Sequence, residues 1–224
     1  MTPVPIVYFS DVLCIWAYIG QLRVNAIKAA FGEDVRFDKK FCSIFGDTAR
    51  KITTTWRGKG EYEGFNAHLM HSAAQFPELR VNPDIWLQVR PASSTGVHLF
   101  LRAIKLAEAD GGCAAGAMED VMWALRRAFF EDARDIARWD VQCEVARDLG
   151  VDVTRVEALI HSGAAFAALA SDYQDADAMG IQGSPSFVLN EGRQKLYGNV
   201  GYRVIDANIK ELLRAPVGDQ ASWC

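Results

Sequence analysis

One cysteine stands where a strand pattern gives way to a helix pattern. Cys14 follows the short apolar run of residues 5–9 and opens a helical pattern that ends at Gly32. The first N–H groups of a helix lack partners within the helix, and the helix dipole is positive there. Both effects stabilise an anion, so we expect Cys14 to be a nucleophilic thiolate with a pKa below the free value of about 8.5. An inert, buried core residue is the competing interpretation of any single cysteine.

A proline late in the chain adds a second signal. Pro185 follows Ser184 and stands just before the apolar strand pattern of residues 186–189. Proline cannot donate to a sheet ladder, so it belongs at a strand start or edge, and a Ser–Pro bond can be cis. Together with the turn at Cys14, this position favours a cis-proline that faces the thiol over simple turn punctuation.

The first part of the chain predicts a β-α-β unit. Strand patterns over residues 5–9 and 35–41 lie on either side of the helical pattern of residues 14–31, which favours a parallel pair with a right-handed crossover. Residues 46–64 contain three consecutive threonines and several glycines, and their weak periodicity predicts a loop.

Helical patterns dominate the middle of the chain. They span residues 65–76, 96–109, 117–130, 141–149 and 154–161. Asp140 and Asp152 are the predicted N-terminal caps of the last two helices. A further helix is predicted over residues 165–179, then a hairpin of strands over 186–189 and 194–197, and a closing helix over 203–213.

This order of elements predicts the fold class. An α/β thioredoxin fold remains when the helical block is removed from between a β-α-β half and an α-β-β-α half. We therefore predict a discontinuous thioredoxin-like domain formed by residues 1–45 plus 165–215. Residues 46–164 would form a large all-helical insertion domain.

Composition and charge limit the class of protein. The chain has 224 residues, half of them hydrophobic, which is enough for a full core. Its net charge is -4 and no Lys/Arg run exceeds two residues, so the basic surface of a nucleic-acid binder is missing. Neither a signal peptide nor a run of about 20 apolar residues is visible. We expect a cytoplasmic protein with no nucleic-acid or membrane partner.

The spacing of the cysteines argues against a disulfide framework and against a zinc site. The five cysteines form neither a C-x-x-C pair nor a Cys/His ligand pattern, which favours free thiols. His68 and His71 lie three apart, but no third ligand recurs nearby, so no metal is assigned. We interpret three further cysteines as core or inert, namely Cys42, Cys113 and Cys143. A terminal thiol at Cys224 that reaches Cys14 is an alternative left open.

Two segments resemble the DsbA family of thiol-disulfide oxidoreductases. Residues 11–20, DVLCIWAYIG, resemble the active-site pattern D-x-x-C-P-W-C-Y-I-G of its cytoplasmic FrnE-like members. Residues 179–188, MGIQGSPSFV, resemble the family's cis-proline motif, and residues 129–152 resemble a late part of its helical insertion. Other similar proteins are 2-hydroxychromene-2-carboxylate isomerase and the kappa-class glutathione transferases. The resemblance covers nearly the whole chain and implies thiol chemistry at Cys14.

The chain departs from that pattern at the second cysteine. Ala17 stands in its place, and Ile15 replaces the intervening proline. A thiolate that attacks a disulfide forms a mixed disulfide, and its resolution inside the protein needs another nearby thiol. The resemblance therefore implies a monothiol C-x-x-A enzyme that acts on a small thiol or disulfide, with glutathione as its co-substrate.

Further site residues follow from the same comparison. Trp16 matches the aromatic beside the active cysteine, and Ser184 is the position that aligns an extended thiol ligand before the cis-proline. Asn199 lies in a loop whose N–H groups would bind the γ-glutamyl carboxylate of glutathione. His98 is either an acid-base group or a histidine held by a structural hydrogen bond.

Two other functions stay open. One is a glutathione-dependent isomerase or transferase, whose relatives carry a serine at the position of Cys14 and use its hydroxyl beside the thiol of bound glutathione. The other is a non-enzymatic interaction module of the thioredoxin fold that has lost half of its active-site pattern. The oligomeric state is also open, with a homodimer among the alternatives.

Overall fold

The computed structural model describes residues 3–214. These residues contain one sheet of four strands. Its strands are β1 (Val4–Ser10), β2 (Val35–Phe41), β3 (Ser186–Leu189) and β4 (Gln194–Tyr197). Their order is β2-β1-β3-β4, with β1 parallel to β2 and antiparallel to β3, and β4 antiparallel to β3. The parallel first pair and the late hairpin agree with the prediction. Cys224 and the predicted boundary at residue 215 lie outside the described residues.

Helices make up most of the rest of the described chain. They are α1 (Ile15–Phe31), α2 (Thr48–Thr55), α3 (Glu61–Ala73), α4 (Thr95–Ala109), α5 (Ala117–Phe130), α6 (Trp139–Asp148), α7 (Val153–His161), α8 (Ala164–Ala178) and α9 (Tyr202–Leu213). β2, α5 and both strands of the hairpin have the predicted bounds. None of the helices in residues 3–214 combines the length and apolar character needed to cross a bilayer.

The prediction of a loop over residues 46–64 is wrong. The segment contains α2 and the first turn of α3. Asp47 caps α2 by accepting a hydrogen bond from the Arg50 N–H at 2.9 Å, and the Thr48 hydroxyl donates to the Pro91 carbonyl at 2.6 Å. Threonine loses side-chain freedom in a helix, so the local sequence signal is weak. The cap and the burial of Ile52 outweigh that weakness.

One of the two predicted caps is also misplaced. Asp152 caps α7 as predicted and accepts a hydrogen bond from the Thr154 N–H at 2.9 Å. Asp140, however, lies inside the first turn of α6, whose N-cap residue is Arg138. Asp140 pairs with that arginine at 2.6 Å. A carboxylate is favourable in the first turn as well as at the cap, which is why the two positions are hard to tell apart in a sequence.

The largest apolar cluster joins the start of α1 to the helices that follow β2. It contains Leu13 and Ile19 together with Phe100 of α4 and Phe129 of α5, all fully buried. A second cluster packs α1 and α9 against the sheet. Because the largest cluster draws on both predicted domains, the helical segment forms part of the surroundings of Cys14. The division at residues 46 and 164 stays a prediction.

A buried ion pair fastens the helical segment to the edge of the sheet. The guanidinium of Arg102 on α4 binds the carboxylate of Asp172 on α8 through two nitrogens. The same carboxylate accepts a hydrogen bond from the Phe41 N–H at 3.0 Å, and Arg102 donates to the Lys39 carbonyl at 3.2 Å. Three elements, β2, α4 and α8, are thus held together where the parallel strands end.

A buried carboxylate holds the turn between β1 and α1. Asp11 is fully buried, and one of its oxygens accepts hydrogen bonds from the N–H groups of Ile44 and Phe45 at 2.9 and 2.8 Å. The same oxygen accepts from the Ser94 hydroxyl at 2.8 Å, and the other accepts from the Leu13 N–H at 3.0 Å. One side chain therefore joins the turn before α1, the segment after β2 and the start of α4.

We expect Asp11→Asn to lower the free energy of unfolding by about 3 kcal/mol, because hydrogen bonds to a buried charge are strong and the amide leaves some of the donors unpaired. Urea denaturation of the purified protein measures the loss. Asp47→Asn is the matched control, since Asp47 is exposed and asparagine caps a helix as well as aspartate does. Equal losses in the two variants would contradict the central role of Asp11.

Candidate functional site

Cys14 is the N-cap residue of α1. Its backbone is extended, with φ -81° and ψ 120°, and the Cys14 N–H donates to the Asp11 carbonyl at 3.2 Å. The Cys14 carbonyl accepts hydrogen bonds from the N–H groups of Ala17 and Tyr18, which begin the helix. The side chain is only 6% exposed. The predicted position of the thiol, between a strand and a helix, is therefore correct. Other parts of the chain also cover the thiol, so it is less accessible to solvent than a residue at an exposed helix end.

The cis-proline segment lies against this thiol. The Ser184–Pro185 peptide bond is cis, as predicted. The Cys14 thiol donates to the Ser184 carbonyl, with 3.1 Å between Sγ and the oxygen. The Ser184 hydroxyl accepts a hydrogen bond from the Asp11 N–H at 2.8 Å. Two segments that are 170 residues apart in sequence thus form one site.

The expected lowering of the Cys14 pKa is wrong for this structure. Burial raises the pKa of the Cys14 thiol because a poorly solvated thiolate is disfavoured, and the nearby carboxylate of Asp11 raises it further. The Ser184 hydroxyl and the N–H groups of Ala17 and Trp16 oppose this rise. The helix end supplies the predicted stabilisation of the anion, but burial outweighs it.

Two predicted features of the active-site turn lie close to the thiol. Ala17 is fully buried in the first turn of α1, one helical turn from Cys14, and brings no second thiol. Trp16 is half-buried and packs against the largest apolar cluster, beside the cysteine. Of the described cysteines, Cys42 also neighbours the Ser184 side chain, and burial raises its pKa strongly. All four described cysteines are free thiols.

Asn199 is not brought to the thiol by any contact in residues 3–214. Its side chain is exposed and accepts a hydrogen bond from the Arg23 guanidinium of α1 at 2.5 Å. The adjacent Gly198 N–H donates to the Pro185 carbonyl at 2.8 Å, so this loop is anchored to the cis-proline segment. A role for Asn199 in binding glutathione stays a prediction.

His98 is buried beside the turn between β1 and α1. It is fully buried, its Nε2 accepts a hydrogen bond from the Val12 N–H at 3.2 Å, and its Nδ1 lies 3.0 Å from the Tyr173 hydroxyl. The ring stacks on Phe41, with 4.4 Å between the ring centroids. Burial lowers the pKa of His98 to about 4, so the ring is neutral at pH 7. The geometry supports the structural interpretation of this residue.

One buried cation near the site was not predicted from the sequence. Arg126 of α5 is fully buried, and its Nη2 donates to the Ser10 hydroxyl at 3.0 Å. A signal was present in the sequence, since residue 126 lies four positions from both Met122 and Phe130 and so falls on the apolar face of α5. Arginine on such a face is unusual, because charged side chains are rarely fully buried.

A pair of cavities in the described part of the chain differ in their distance from the thiol. The larger, of about 260 Å³, lies between α4, α6 and α7 and does not border Cys14. The other, of about 230 Å³, is lined by Cys42, Ser43, Ile44, Tyr173, Ala176, Asp177 and Ile181. It lies beside the segment whose N–H groups bind Asp11.

Within residues 3–214, no cluster of three or more histidine, cysteine or acidic side chains is placed to hold a metal ion, and His68 and His71 are both exposed.

Solved structures share this fold over nearly the whole chain. One is a probable DsbA oxidoreductase from Streptomyces coelicolor, with a TM-score of 0.73 and 22% identity over 96% of this chain and 92% of that one. The cytosolic disulfide reductase DsbM from Pseudomonas aeruginosa with GSH has a TM-score of 0.66 and 21% identity over 95% of this chain and 100% of that one. A 2-hydroxychromene-2-carboxylate isomerase has a TM-score of 0.65 and 14% identity over 93% and 95%.

The sequence comparisons agree with the structural ones. The ClpXP adapter protein SpxH of Halalkalibacterium halodurans is 25% identical over an alignment 221 residues long, which covers 94% of this chain and 68% of that protein. The family model of the DSBA-like thioredoxin domain matches residues 5–210 and so spans both segments of the candidate site, around Cys14 and around Pro185. With a sheet, a helix-capping cysteine and a cis-proline arranged as described, the chain belongs to the family of DSBA-like thioredoxin domains.

Proposed function

We propose that the protein is a monothiol thiol-disulfide oxidoreductase that uses glutathione as its co-substrate. Cys14 is the nucleophile, and the segment of Ser184 and Pro185 aligns the substrate. The observation that carries this proposal is the placement of the Cys14 sulfur at the N-terminus of α1, 3.1 Å from the carbonyl oxygen that precedes the cis-proline. Ala17 stands where the dithiol members carry their second cysteine.

The proposed cycle is a pair of thiol-disulfide exchanges. The Cys14 thiolate attacks one sulfur of a small disulfide, the other sulfur leaves as a thiolate, and a mixed disulfide forms on Cys14. A glutathione thiolate then attacks the substrate sulfur of that bond, which releases a glutathione mixed disulfide and restores the Cys14 thiolate. One disulfide and one thiol are consumed and one of each is formed, so electrons balance without another reductant.

A glutathione-dependent isomerase or transferase is the second candidate, and one observation favours it. In the structure the Cys14 sulfur acts as a hydrogen-bond donor to Ser184, and burial raises its pKa, so at pH 7 it is a thiol. A neutral thiol can stand beside the sulfur of bound glutathione in the way that a serine hydroxyl does in the isomerase and transferase relatives. This role involves no net redox change.

A third candidate is a binding module without turnover, since the matched protein SpxH is named as an adapter. Assays of glutathione turnover with a disulfide and with an electrophile separate the three. Turnover of the disulfide supports the oxidoreductase, turnover of only the electrophile supports the second candidate, and inactivity on both supports the module. We further propose a cytoplasmic location, in keeping with the free thiols of the four cysteines in residues 3–214.

The oxidoreductase proposal predicts how a glutathione adduct behaves. After mixing with oxidised glutathione, the wild-type protein should keep one glutathione on Cys14 until excess thiol is added, because Ala17 provides no resolving thiol. Ala17→Cys should lose the adduct spontaneously and form an internal disulfide. Residues three apart in the first helical turn lie about 5 to 6 Å from one another, which suits the Cα spacing of a disulfide. Intact-protein and peptide mass spectrometry detect both states.

Ala17→Ser is the matched control for that experiment. It adds a side-chain atom of similar position but no thiol, so the adduct should persist as in the wild type. Cys14→Ser should take no adduct at this site. If the wild type forms no adduct on Cys14 and Ala17→Cys forms no disulfide, Cys14 is not a redox nucleophile, and the second or third candidate replaces the first.

The raised pKa of Cys14 predicts the pH dependence of its reactivity. A thiol whose folded pKa lies above that of free cysteine stays protonated at pH 7, and only the thiolate reacts. The alkylation rate of native Cys14 should therefore rise about tenfold per pH unit from pH 6 to pH 8. Iodoacetamide labelling followed by peptide mass spectrometry gives this profile. A rate that is already constant below pH 7 would indicate an acidic thiol and would contradict the effect of burial.

A further inference from the structure

The positively charged side chain of Arg126 is buried beside the turn between β1 and α1. It lies on α5, its side chain is fully buried, and Nη2 donates to the Ser10 hydroxyl at 3.0 Å. Ser10 is the last residue of β1 and directly precedes Asp11. A guanidinium keeps its proton throughout the physiological range, so the charge is permanent.

The hydrogen bonding of this guanidinium is incomplete. Its Nε and Nη1 have no partner among the described residues, and the buried hydroxyl of Tyr8 also lacks one. Tyr8 lies close to the cis-proline, since a Cβ added at Gly20 would be 3.4 Å from its hydroxyl and 3.3 Å from Pro185 Cγ. Unpaired donors on a buried cation are costly, and such a group is stabilised by any negative charge that forms nearby.

The groups that surround Arg126 are mostly acids. Burial lowers the pKa of the Arg126 guanidinium, and the ionised forms of four acids would raise it, namely Tyr8, Cys14, Asp11 and Cys42. Burial raises the pKa of Tyr8, Cys14 and Cys42, so these three are neutral at pH 7. Two bases also interact with the guanidinium, Lys39 of β2 and His98 of α4. His98 is neutral at pH 7, and Lys39 is paired with Glu119 at 2.7 Å. Asp11 is already satisfied by four donors, which leaves Cys14 as the group whose charge changes during the proposed reaction.

We propose that Arg126 is a positioning residue for the thiol chemistry, whose buried guanidinium accompanies the ionised sulfur of Cys14 in the interior. This inference rests on Cys14 as the nucleophile in the proposed function. The buried site disfavours a thiolate and Asp11 repels it, whereas the N–H groups of Ala17 and Trp16 favour it. Arg126 reaches the same turn through Ser10, and the next residue, Asp11, donates its N–H to the Ser184 hydroxyl at 2.8 Å. The Cys14 sulfur lies 3.1 Å from the Ser184 carbonyl oxygen, so the guanidinium and the sulfur border one buried cluster. When the thiol proton leaves to solvent, the negative charge that stays behind has a fixed cation nearby.

The test compares two arginines that are neighbours on α5. Arg126→Met removes the buried charge while keeping a long apolar side chain, and Arg126→Lys retains the charge. Arg127→Met is the matched control, because Arg127 is more than half exposed and pairs with Glu131 at the surface. Surface charges are screened by solvent and have small effects. The readout is the rate of Cys14 alkylation by iodoacetamide between pH 6 and pH 10.

A nearby opposite charge lowers the pKa of an acid by one or more units. We therefore expect Arg126→Met to slow the alkylation of Cys14 at pH 8 by about tenfold and to move the titration to higher pH. Arg126→Lys should stay within about threefold of the wild type, and Arg127→Met within about twofold. Near-ultraviolet circular dichroism verifies that each variant is folded. A folded Arg126→Met protein with an unchanged pH profile would overturn the proposal.

A measurement on the wild-type protein covers the case in which Arg126→Met does not fold. The ¹³Cζ resonance of Arg126, assigned by its loss in Arg126→Lys, should shift with pH at the midpoint of Cys14 alkylation. The Cys14→Ser variant should show no change in the Arg126 ¹³Cζ chemical shift over that pH range. A resonance that ignores the ionisation of Cys14 would refute the proposal. Neither arm uses glutathione, so failure of Cys14 to form a glutathione adduct would count against the proposed function alone.

Discussion

The buried carboxylate of Asp11 is the interaction on which the site depends. Its two oxygens collect donors from its own turn, from the segment after β2 and from the start of α4. Its backbone N–H binds the Ser184 hydroxyl, and its carbonyl accepts from the Cys14 N–H. Four distant parts of the chain therefore meet at one residue. The position of the sulfur against the cis-proline follows from this arrangement, because each segment is held at its polar backbone groups.

Burial favours the neutral thiol form of Cys14 and makes its thiolate harder to form. The thiol is 6% exposed and donates a hydrogen bond to a carbonyl, so its anion is poorly solvated. The contributions that favour the anion come from the Ser184 hydroxyl and from the N–H groups of Ala17 and Trp16 at the start of α1. The buried charge of Arg126 is the contribution that we propose. Such an environment can serve two chemistries. A neutral thiol suits a role as hydrogen-bond donor, whereas a thiolate with a preformed cation suits exchange with a disulfide.

The helices between β2 and α8 take part in the site. α4 supplies His98, its N-cap residue Ser94 donates a hydrogen bond to Asp11, and α5 supplies Arg126. The ion pair of Arg102 with Asp172 joins α4 to α8, and Asp172 also accepts a hydrogen bond from Phe41, the last residue of β2. Helices that follow β2 in the chain thus contribute to the environment of Cys14, together with the turn before α1 and the cis-proline segment.

Apart from the helix at residues 48–55, the order of the elements and their bounds to within a few residues could be predicted from the sequence. The position of Cys14 at a helix start and the cis-proline at Pro185 could be predicted as well. These features depend on local patterns, namely hydrophobic period, turn residues and the special chemistry of proline. The helix at residues 48–55, the burial of Cys14 and the neutral state of His98 were decided by tertiary structure. Solvation and charge at a residue depend on neighbours that are distant in sequence. A cysteine at a helix N-terminus can therefore be recognised in the sequence, while its pKa is set by what packs around it.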